Sequence, residues 1–576
     1  MKVSRIVRRT LPENAPELSP HLHPVLRRIL LARGVSSAAD CDYRLACVLA
    51  PTLGGIDRAC ALIERAIVED RHVVVVGDFD CDGATGTAVA VRGLRALGAR
   101  RVSYGVPNRA VHGYGLSEAL LEDLLPLGPQ LLITVDNGVV AHAGIAAARS
   151  HGIQTVVTDH HLPGDTLPDA DAIVNPNLRG EDFPSKALAG VGVMLFVLLA
   201  LRARLRASGW FGARAIAEPD LAVLLDLVAL GTVADLVPLD YNNRILVEAG
   251  LRRIRAGLAC PGIGALLASG KRDPAAATAA DLGYCVAPRL NAAGRLDDIR
   301  LGIECLLADD AGQATAIAAR LSALNAERRD LQTDMTAQAE AMVSRWLDQY
   351  GSNALPYGVV LFEPQWHQGI VGLVASRLKD ILGRPVIACA PAANDGEVRG
   401  SGRSIAGFHL RDALAAVAAA RPHLLDRFGG HAMAAGLSLR HERLEAFAAA
   451  FYDVARARLA PEQLEATVIT DGELGAGELT LDLARCLRAG GPWGQAFPEP
   501  LFDGEFDVVG SRVVGEAHLR LKLRHRDGGA VVDAMLFNAS LEGLVPLRVH
   551  AVFQLEIDDW DGTQSVRMLI RQLAPC

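Results

Sequence analysis

Three short apolar runs, each without polar alternation and each ending in acidic or histidine side chains, constrain this chain more than any other feature. They are His72–Gly77 (HVVVVG) leading into Asp78-Phe79-Asp80-Cys81-Asp82-Gly83, Leu131–Val135 (LLITV) leading into Asp136-Asn137-Gly138, and Thr155–Thr158 (TVVT) leading into Asp159-His160-His161. A fourth run, Ala172–Val174, follows. A strand with one wet face alternates apolar and polar residues, whereas an unbroken apolar strand is covered on both faces. Alanine-rich stretches at helical spacing, such as Gly86–Gly98 and His142–His151, separate the runs. The pattern predicts a doubly wound α/β domain with a parallel sheet, in which ligands collect beyond the carboxyl ends of the strands.

At 576 residues the chain has room for three or four domains. Residues 313–350 contain neither Gly nor Pro and read as a long linker helix, continuous or broken. Val359–Phe362, Val386–Cys389 and Leu444–Leu459 then suggest a second, smaller α/β domain. Beyond about residue 465 five short runs with turn signals between them, Phe506–Val509, His518–Leu523, Val531–Phe537, Val549–Ile557 and Ser565–Leu569, fit a small OB-like β-barrel. The expected boundaries are 1–60 for an N-terminal segment, 61–312, 313–350, 351–462 and 463–576. The longest apolar run, Ala187–Leu201, is too short for the ~20 residues that span a bilayer. No secretory signal is visible, and ten scattered cysteines without a CxxC pair point to a reducing cytoplasm. The net charge of −8 excludes a general basic coat, so any nucleic-acid contact must rest on local patches.

The carboxylates carry the chemistry. If the chain stays extended, Asp78, Asp80 and Asp82 share one side, and three like charges together are costly unless cations neutralise them. Asp-x-Asp-x-Asp-Gly also opens an EF-hand loop, but the twelfth position, which needs a bidentate Glu, is Val89, and the motif follows a strand. A phosphatase with a DxD nucleophile fits less well because Asp82 stands where Thr or Val is usual. Asp136 and the histidines after Asp159 point at the same crevice, and Asp235 is a fourth acid in the apolar stretch Gly231–Pro238. Mixed Asp and His ligands suit a pair of Mn²⁺ or Mg²⁺ ions and phosphoryl hydrolysis. In His518–Arg526 the even positions are basic, Arg520, Lys522 and Arg524 among them, while 519, 521 and 523 are leucine. A period of two puts the leucines in the barrel core and the bases on a polyanion track with no interleaved acid in that strand.

Asp159-His160-His161, with the acids already named, resembles the DHH phosphoesterase superfamily. The resemblance continues through Val106-Pro-Asn-Arg109 with Gly113-Tyr114-Gly115, Leu188–Gly192 (LAGVG), Pro288–Arg295 (PRLNAAGR) and Trp366–Gly372 (WHQGIVG). It runs on through Gly400–Ser404 (GSGRS), Gly429-Gly430-His431 and Gly491–Pro500 (GPWGQAFPEP). Val111 and His112 depart from the acidic residues expected in many relatives. Within the superfamily the order of motifs is similar to that of bacterial 5′→3′ exonucleases specific for single-stranded DNA, enzymes of DNA repair and recombination. The resemblance implies that Asp78, Asp80 and Asp136 hold one metal and that Asp82, Asp136, His160 and Asp235 hold the other. His161 would then contact phosphate and Asp159 would orient a histidine.

It further implies DNA contacts by Arg109, Tyr114, Arg289 and Arg295, all expected in turns. Ser401 and Arg403, with His431, would bind the DNA 5′ end in a domain of the DHHA1 type, beside a helix spanning Gln368–Leu378. Trp366 is expected in the core. Single-strand-binding protein and a helicase are implied partners, and the chain would act as a monomer. Other DHH phosphoesterases, acting on pyrophosphate, oligonucleotides or cyclic dinucleotides, are the rival enzymes, and they typically lack a C-terminal barrel. A DHH scaffold that binds DNA without catalysis is the non-enzymatic alternative, which should have lost ligands.

Overall fold

A computed structural model describes residues 5–14, 16–108, 111–350, 355–392, 396–515, 518–537, 539, 545–559 and 562–576. The first sheet has strands β1 (Val73–Val76), β2 (Val102–Gly105), β3 (Leu131–Val135), β4 (Gln154–Thr158) and β5 (Ala172–Val174). They lie in the order β2-β1-β3-β4-β5, all parallel. Val73 and Val75 pack into one apolar layer and Val74 and Val76 into another, the two-sided burial that unbroken apolar strands require. The strand order reverses between β1 and β3, which makes their carboxyl ends the topological switch point.

Two buried helices close one face. Helix Gly190–Ala207 contains most of the longest apolar run, and helix Leu225–Ala234 is buried from Leu225 through Thr232. No helix among the described residues is long and apolar enough to cross a membrane.

The chain divides into two compact units. One comprises Arg9–Asn325 with Asp471–Cys576, the other Ala326–Thr470 with the N-terminal strand Arg5–Arg8, which pairs with Thr467–Thr470. Helix Ala311–Tyr350 runs from one unit into the other without a break, about 60 Å at 1.5 Å per residue.

In the first unit, the strands β11 (Phe502–Val514), β12 (His518–His525), β13 (Val531–Leu536), β14 (Arg548–Asp558) and β15 (Ser565–Pro575) close a barrel in the order β11-β12-β13-β15-β14. Helix Pro24–Ala32 ties the barrel to the α/β domain. Its Val25 and Ile29 join the barrel core, while Leu26, Leu30 and Leu31 join the core beneath the parallel sheet. At its end Arg33 grips Asp471 with two bonds of 2.7 and 2.9 Å, and both side chains are buried.

The second unit holds β6 (Val359–Phe362), β7 (Val386–Pro391), β8 (Glu397–Arg403), β9 (Arg427–Gly430) and β10 (Ala434–Arg440) in the order β9-β10-β8-β7-β6. Only β6 and β7 pair in parallel, so this sheet is mixed.

Candidate active site

The chain does not stay extended after β1. Asp80 caps helix Cys81–Ala96, accepting from the Gly83 N–H at 3.1 Å, so Asp82 sits in the first helical turn rather than at the next strand position. Asp82 nevertheless reaches the same place. Its carboxylate is buried and accepts from the N–H groups of Gly190 (2.6 Å) and Val191 (3.0 Å), at the start of helix Gly190–Ala207. A Cβ on Gly190 would lie 2.5 Å from the Asp136 Cβ, so the glycine lets this helix end close against β3.

Asp136, just past β3, is buried with φ of +64°, a conformation that Asp tolerates better than most residues. His160 Nε2 stands 3.0 Å from Asp136 Oδ1, 3.4 Å from Asp235 Oδ2 and 3.9 Å from Asp82 Oδ2. Donor atoms of three sets lie within 4.8 Å of one another: Asp78, Asp80 and Asp136; Asp82, His160 and Asp235; and Asp136, His160 and His161. Burial, reinforced by repulsion from Asp80, pushes the Asp82 carboxyl up to about 7. Burial and neighbouring carboxylates also push Asp136 and Asp235 well above their usual range. Crowding this much negative charge in a buried place is unfavourable unless cations share it. Hard carboxylate oxygens with imidazole suit Mn²⁺ or Mg²⁺, so the donor set fits a pair of such ions.

Asp159 has a different part. Its carboxylate accepts from the N–H groups of Val139, His160 and His161 and from His161 Nδ1 at 2.8 Å. Burial raises its pKa, but the His161 hydrogen bond and the histidine charges outweigh that and hold it below the usual range. Burial lowers the His161 imidazole in turn, and the Asp159 bond outweighs this and takes it up to about 9. The pair is a buried carboxylate holding a cation beside the cluster.

Tyr114 meets the site through its hydroxyl, which donates to the Asp136 carbonyl at 3.2 Å and lies 3.3 Å from the His161 ring nitrogens. Its ring packs edge-on against Phe79. Arg109 lies outside the described residues. Arg289 and Arg295 stand in helix Ala287–Leu296 rather than in a turn. Arg289 is occupied within the fold, donating to the Cys285 carbonyl (2.5 Å) and the Ser322 hydroxyl (3.0 Å). Arg295 is half-buried in the last turn of that helix.

Ser401, Arg403 and His431 belong to the other unit. Ser401 and Arg403 lie in strand β8 instead of the expected turn, and Arg403 Nη1 donates to Ser401 Oγ (3.0 Å) and the Gly402 carbonyl (2.8 Å). The neighbouring helix starts at Val371, not Gln368, and ends at Leu382. A Cβ on Gly372 would come within 2.9 Å of Ser401 Oγ and 3.0 Å of Arg403 Nη2, so the glycine brings this N-terminus against both groups. Gly429, Gly436 and Ser401 are in register across three strands, and the exposed His431 follows β9. Trp366 is buried, its indole N–H donating to Gln338 at 2.9 Å.

On the barrel, Leu519, Leu521 and Leu523 are buried and Arg520, Lys522, Arg524 and Arg526 exposed, as the period of two requires. Neighbouring strands do interleave acids, however. Arg520 lies 3.4 Å from Asp533 and Arg526 3.0 Å from Glu505, so the face is not purely cationic.

Four asparagines escaped the sequence reading. Asn137 donates to the Val76 and Val135 carbonyls and locks the ends of β1 and β3 together. Asn175 and Asn177 hold the backbone carbonyls of His161 and His160, and Asn291 accepts from the Cys81 N–H. Asn137 and Asn291 lie inside motifs already quoted, and Asn175-Pro176-Asn177 directly follows β5; those positions were the available signal.

Known families match in the same order along the chain. The DHH family N-terminal domain matches residues 72–232, the DHHA1 domain 355–457 and the RecJ OB domain 470–572. The chain is 49% identical to the single-stranded-DNA-specific exonuclease RecJ of Salmonella typhimurium, with 100% of each chain covered. It is 47% identical to that of Escherichia coli, with 96% of each covered. A crystal structure of RecJ from Thermus thermophilus in complex with Mn²⁺ superimposes with a TM-score of 0.79 at 31% identity, over 99% of this chain and 79% of that one. The acid and histidine cluster at the switch point, the barrel that follows and this end-to-end similarity agree: the chain belongs to the RecJ family of single-stranded-DNA-specific exonucleases.

Proposed function

We propose that the protein is a metal-dependent exonuclease that hydrolyses single-stranded DNA from its 5′ end to mononucleotides, serving DNA repair and recombination in a bacterial cytoplasm. The observation that carries the reading is the cluster around Asp136, in which every ligand that the motifs call for approaches its neighbours. Asp78, Asp80 and Asp136 are assigned to one Mn²⁺ or Mg²⁺ ion; Asp82, His160, Asp235 and again Asp136 to a second. Bound there, such a pair of ions would supply an activated water and neutralise charge on the scissile phosphate. The chain's own residues do the rest. Asp159 keeps His161 protonated beside the phosphate, Tyr114 fixes the His161 ring, and the asparagine clamps hold the ligand-bearing loops still.

The domain division offered is 61–312 for hydrolysis, 351–462 for the 5′ terminus and 463–576 for the incoming strand, with 1–60 and 313–350 as connecting structure. Arg109, Arg289 and Arg295 remain assigned to DNA. A monomer working beside single-strand-binding protein and a helicase is part of the same reading.

A substrate panel tests it against the rivals. With Mn²⁺, single-stranded DNA should be degraded to mononucleotides, while duplex DNA, pyrophosphate and cyclic dinucleotides are turned over at least 100-fold more slowly. Faster turnover of a small phosphate substrate would favour another DHH phosphoesterase, and no turnover at all would favour the scaffold.

Two further results follow from the placement of arginines. A charge-assisted contact to a terminal phosphate is worth roughly 1.5–3 kcal/mol, about 10- to 150-fold. Arg403→Ala should therefore slow cleavage of 5′-phosphorylated strands by that factor and of 5′-hydroxyl strands far less. Equal losses on both would reduce Arg403 to general electrostatics. On the barrel, Arg520 is already paired with Asp533, whereas no described carboxylate lies within ion-pair distance of Lys522 or Arg524. Each phosphate contact on a single strand adds about −0.7 to the slope of log K against log salt. Replacing Lys522 and Arg524 together by Ala should flatten that slope by up to about 1.4 for long strands. A slope unchanged from the parent's would remove this face from the DNA path.

A further inference from the structure

Helix Leu225–Ala234 ends at Asp235, and the next residue, Leu236, has φ of +59°. This is the place just beyond a helix C-terminus where a left-handed residue closes the last turn and glycine is the usual occupant. The Leu236 N–H donates to the Val233 carbonyl at 3.3 Å, completing that turn. A Cβ is strained in this conformation, and a branched apolar side chain gains nothing that offsets the strain unless it is buried. Leu236 is 65% exposed. The fold would be served better by glycine. Its neighbours nonetheless hold it in place: Val237 is buried, and Pro238 confines Val237 to an extended conformation.

The described non-glycine residues with positive φ are Asp70, Asp136, Ala215, Leu236, Lys271 and Ala496. Two of them, Asp136 and Leu236, are at the cluster, and Leu236 is the one with a branched apolar side chain. It stands one peptide unit from Asp235, whose carboxylate lies 3.4 Å from His160 Nε2. Leu162, one residue past His161, is 63% exposed, so apolar surface adjoins both a candidate ligand, Asp235, and the proposed phosphate contact, His161.

We propose that Leu236 is a substrate-contact residue, its side chain packing against one of the two nucleosides that flank the scissile phosphate. The inference rests on the exonuclease reading and adds what touches the bases there. A leucine offers no hydrogen bond and so accepts any base, which suits an enzyme that must digest a strand irrespective of sequence. The strain at φ +59° is then the cost of presenting an apolar side chain beside a metal ligand.

The test compares the parent, Leu236→Gly and Leu236→Met in single-turnover cleavage with Mn²⁺. The substrates are 5′-phosphorylated single strands that are intact or carry a tetrahydrofuran abasic residue at the first or second position. The parent should be slowed about tenfold by an abasic residue at one of those positions, the scale of a partly buried leucine contact. Leu236→Gly should be slowed about tenfold on the intact strand, show no further abasic penalty and unfold at the parent's temperature or higher. Leu236→Met should recover most of the rate and of the penalty. The proposal is overturned if Leu236→Gly cleaves the intact strand at the parent's rate, slows intact and abasic strands by one factor, or melts well below the parent. A parent that releases no nucleotide with Mn²⁺ overturns the exonuclease reading itself, and this inference with it.

Discussion

Asp136→Asn is expected to abolish nucleotide release for practical purposes, by about 10³-fold or more, while leaving the fold intact. Asp136 shares one donor set with Asp78 and Asp80 and lies 3.0 Å from His160, assigned to the other ion, so losing its charge weakens both proposed ions at once. Two-ion stabilisation is worth several kcal/mol and each 1.36 kcal/mol is tenfold in rate, which sets the scale. Asparagine is the better replacement here. Asp136 sits at φ +64°, which Asn tolerates better than Ala, so the backbone is spared a second insult. Removing one carboxylate also relieves repulsion from Asp82 and Asp80, so the cation-free variant should melt no lower than the parent. Single-turnover cleavage together with a thermal melt in chelator measures both halves. A folded variant retaining a tenth of the parent's activity would sink the assignment of Asp136 to both ions.

The second large effect is on stability and needs no substrate. Without cations, burial and mutual repulsion raise the carboxyls of Asp82, Asp136 and Asp235, Asp82 to about 7. An acid raised in the folded state contributes stability that is complete below its ordinary pKa. That stability is lost as pH climbs to the raised value, because the unfolded chain releases its proton first. For Asp82 the window runs from about 4 to 7, and the loss is on the order of 4 kcal/mol. His161, raised to about 9, loses stability over a higher window in the same direction, and the lowered Asp159 contributes no slope above pH 5.

Urea unfolding in chelator should therefore show stability falling between pH 5 and pH 8. Saturating Mn²⁺, which favours the ionised carboxylates, should erase most of that fall, so its stabilisation is larger at pH 8 than at pH 5. A flat profile in chelator, or an equal Mn²⁺ effect at both pH values, would contradict a cation-binding cluster.

The strands of the first domain were legible because two-sided burial leaves a one-dimensional trace: Val73 to Val76 alternate between two cores with no polar residue among them. The strand-end acids were legible for the same reason, since a switch point collects whatever follows such strands. The turn of the chain into a helix at Cys81 was less so. Asp80 carries an ordinary capping signal, but three acids at alternate positions imitate a strand face.

Long-range pairing was not legible at all. Asp533 and Glu505 reach Arg520 and Arg526 from neighbouring strands 13 and 21 residues away, a register that no local period encodes. Arg289, expected in an Asn-rich turn, lies in a helix and donates to Ser322, 33 residues on in the long helix, a partner that no local period encodes. The asparagine clamps act on backbone groups, carbonyls for Asn137, Asn175 and Asn177 and the Cys81 N–H for Asn291, and a backbone partner has no side-chain identity to read in the sequence.

The central claim is cation-dependent removal of nucleotides from one end of a single strand at the Asp136 cluster. Its most direct test is to digest a single strand labelled at the 5′ or the 3′ end, with Mn²⁺ and with chelator. With Mn²⁺, the 5′ label should appear at once as mononucleotide while the 3′-labelled strand shortens progressively; chelator should stop both. Release in chelator, first release of the 3′ label, or internal fragments from either strand would contradict the account.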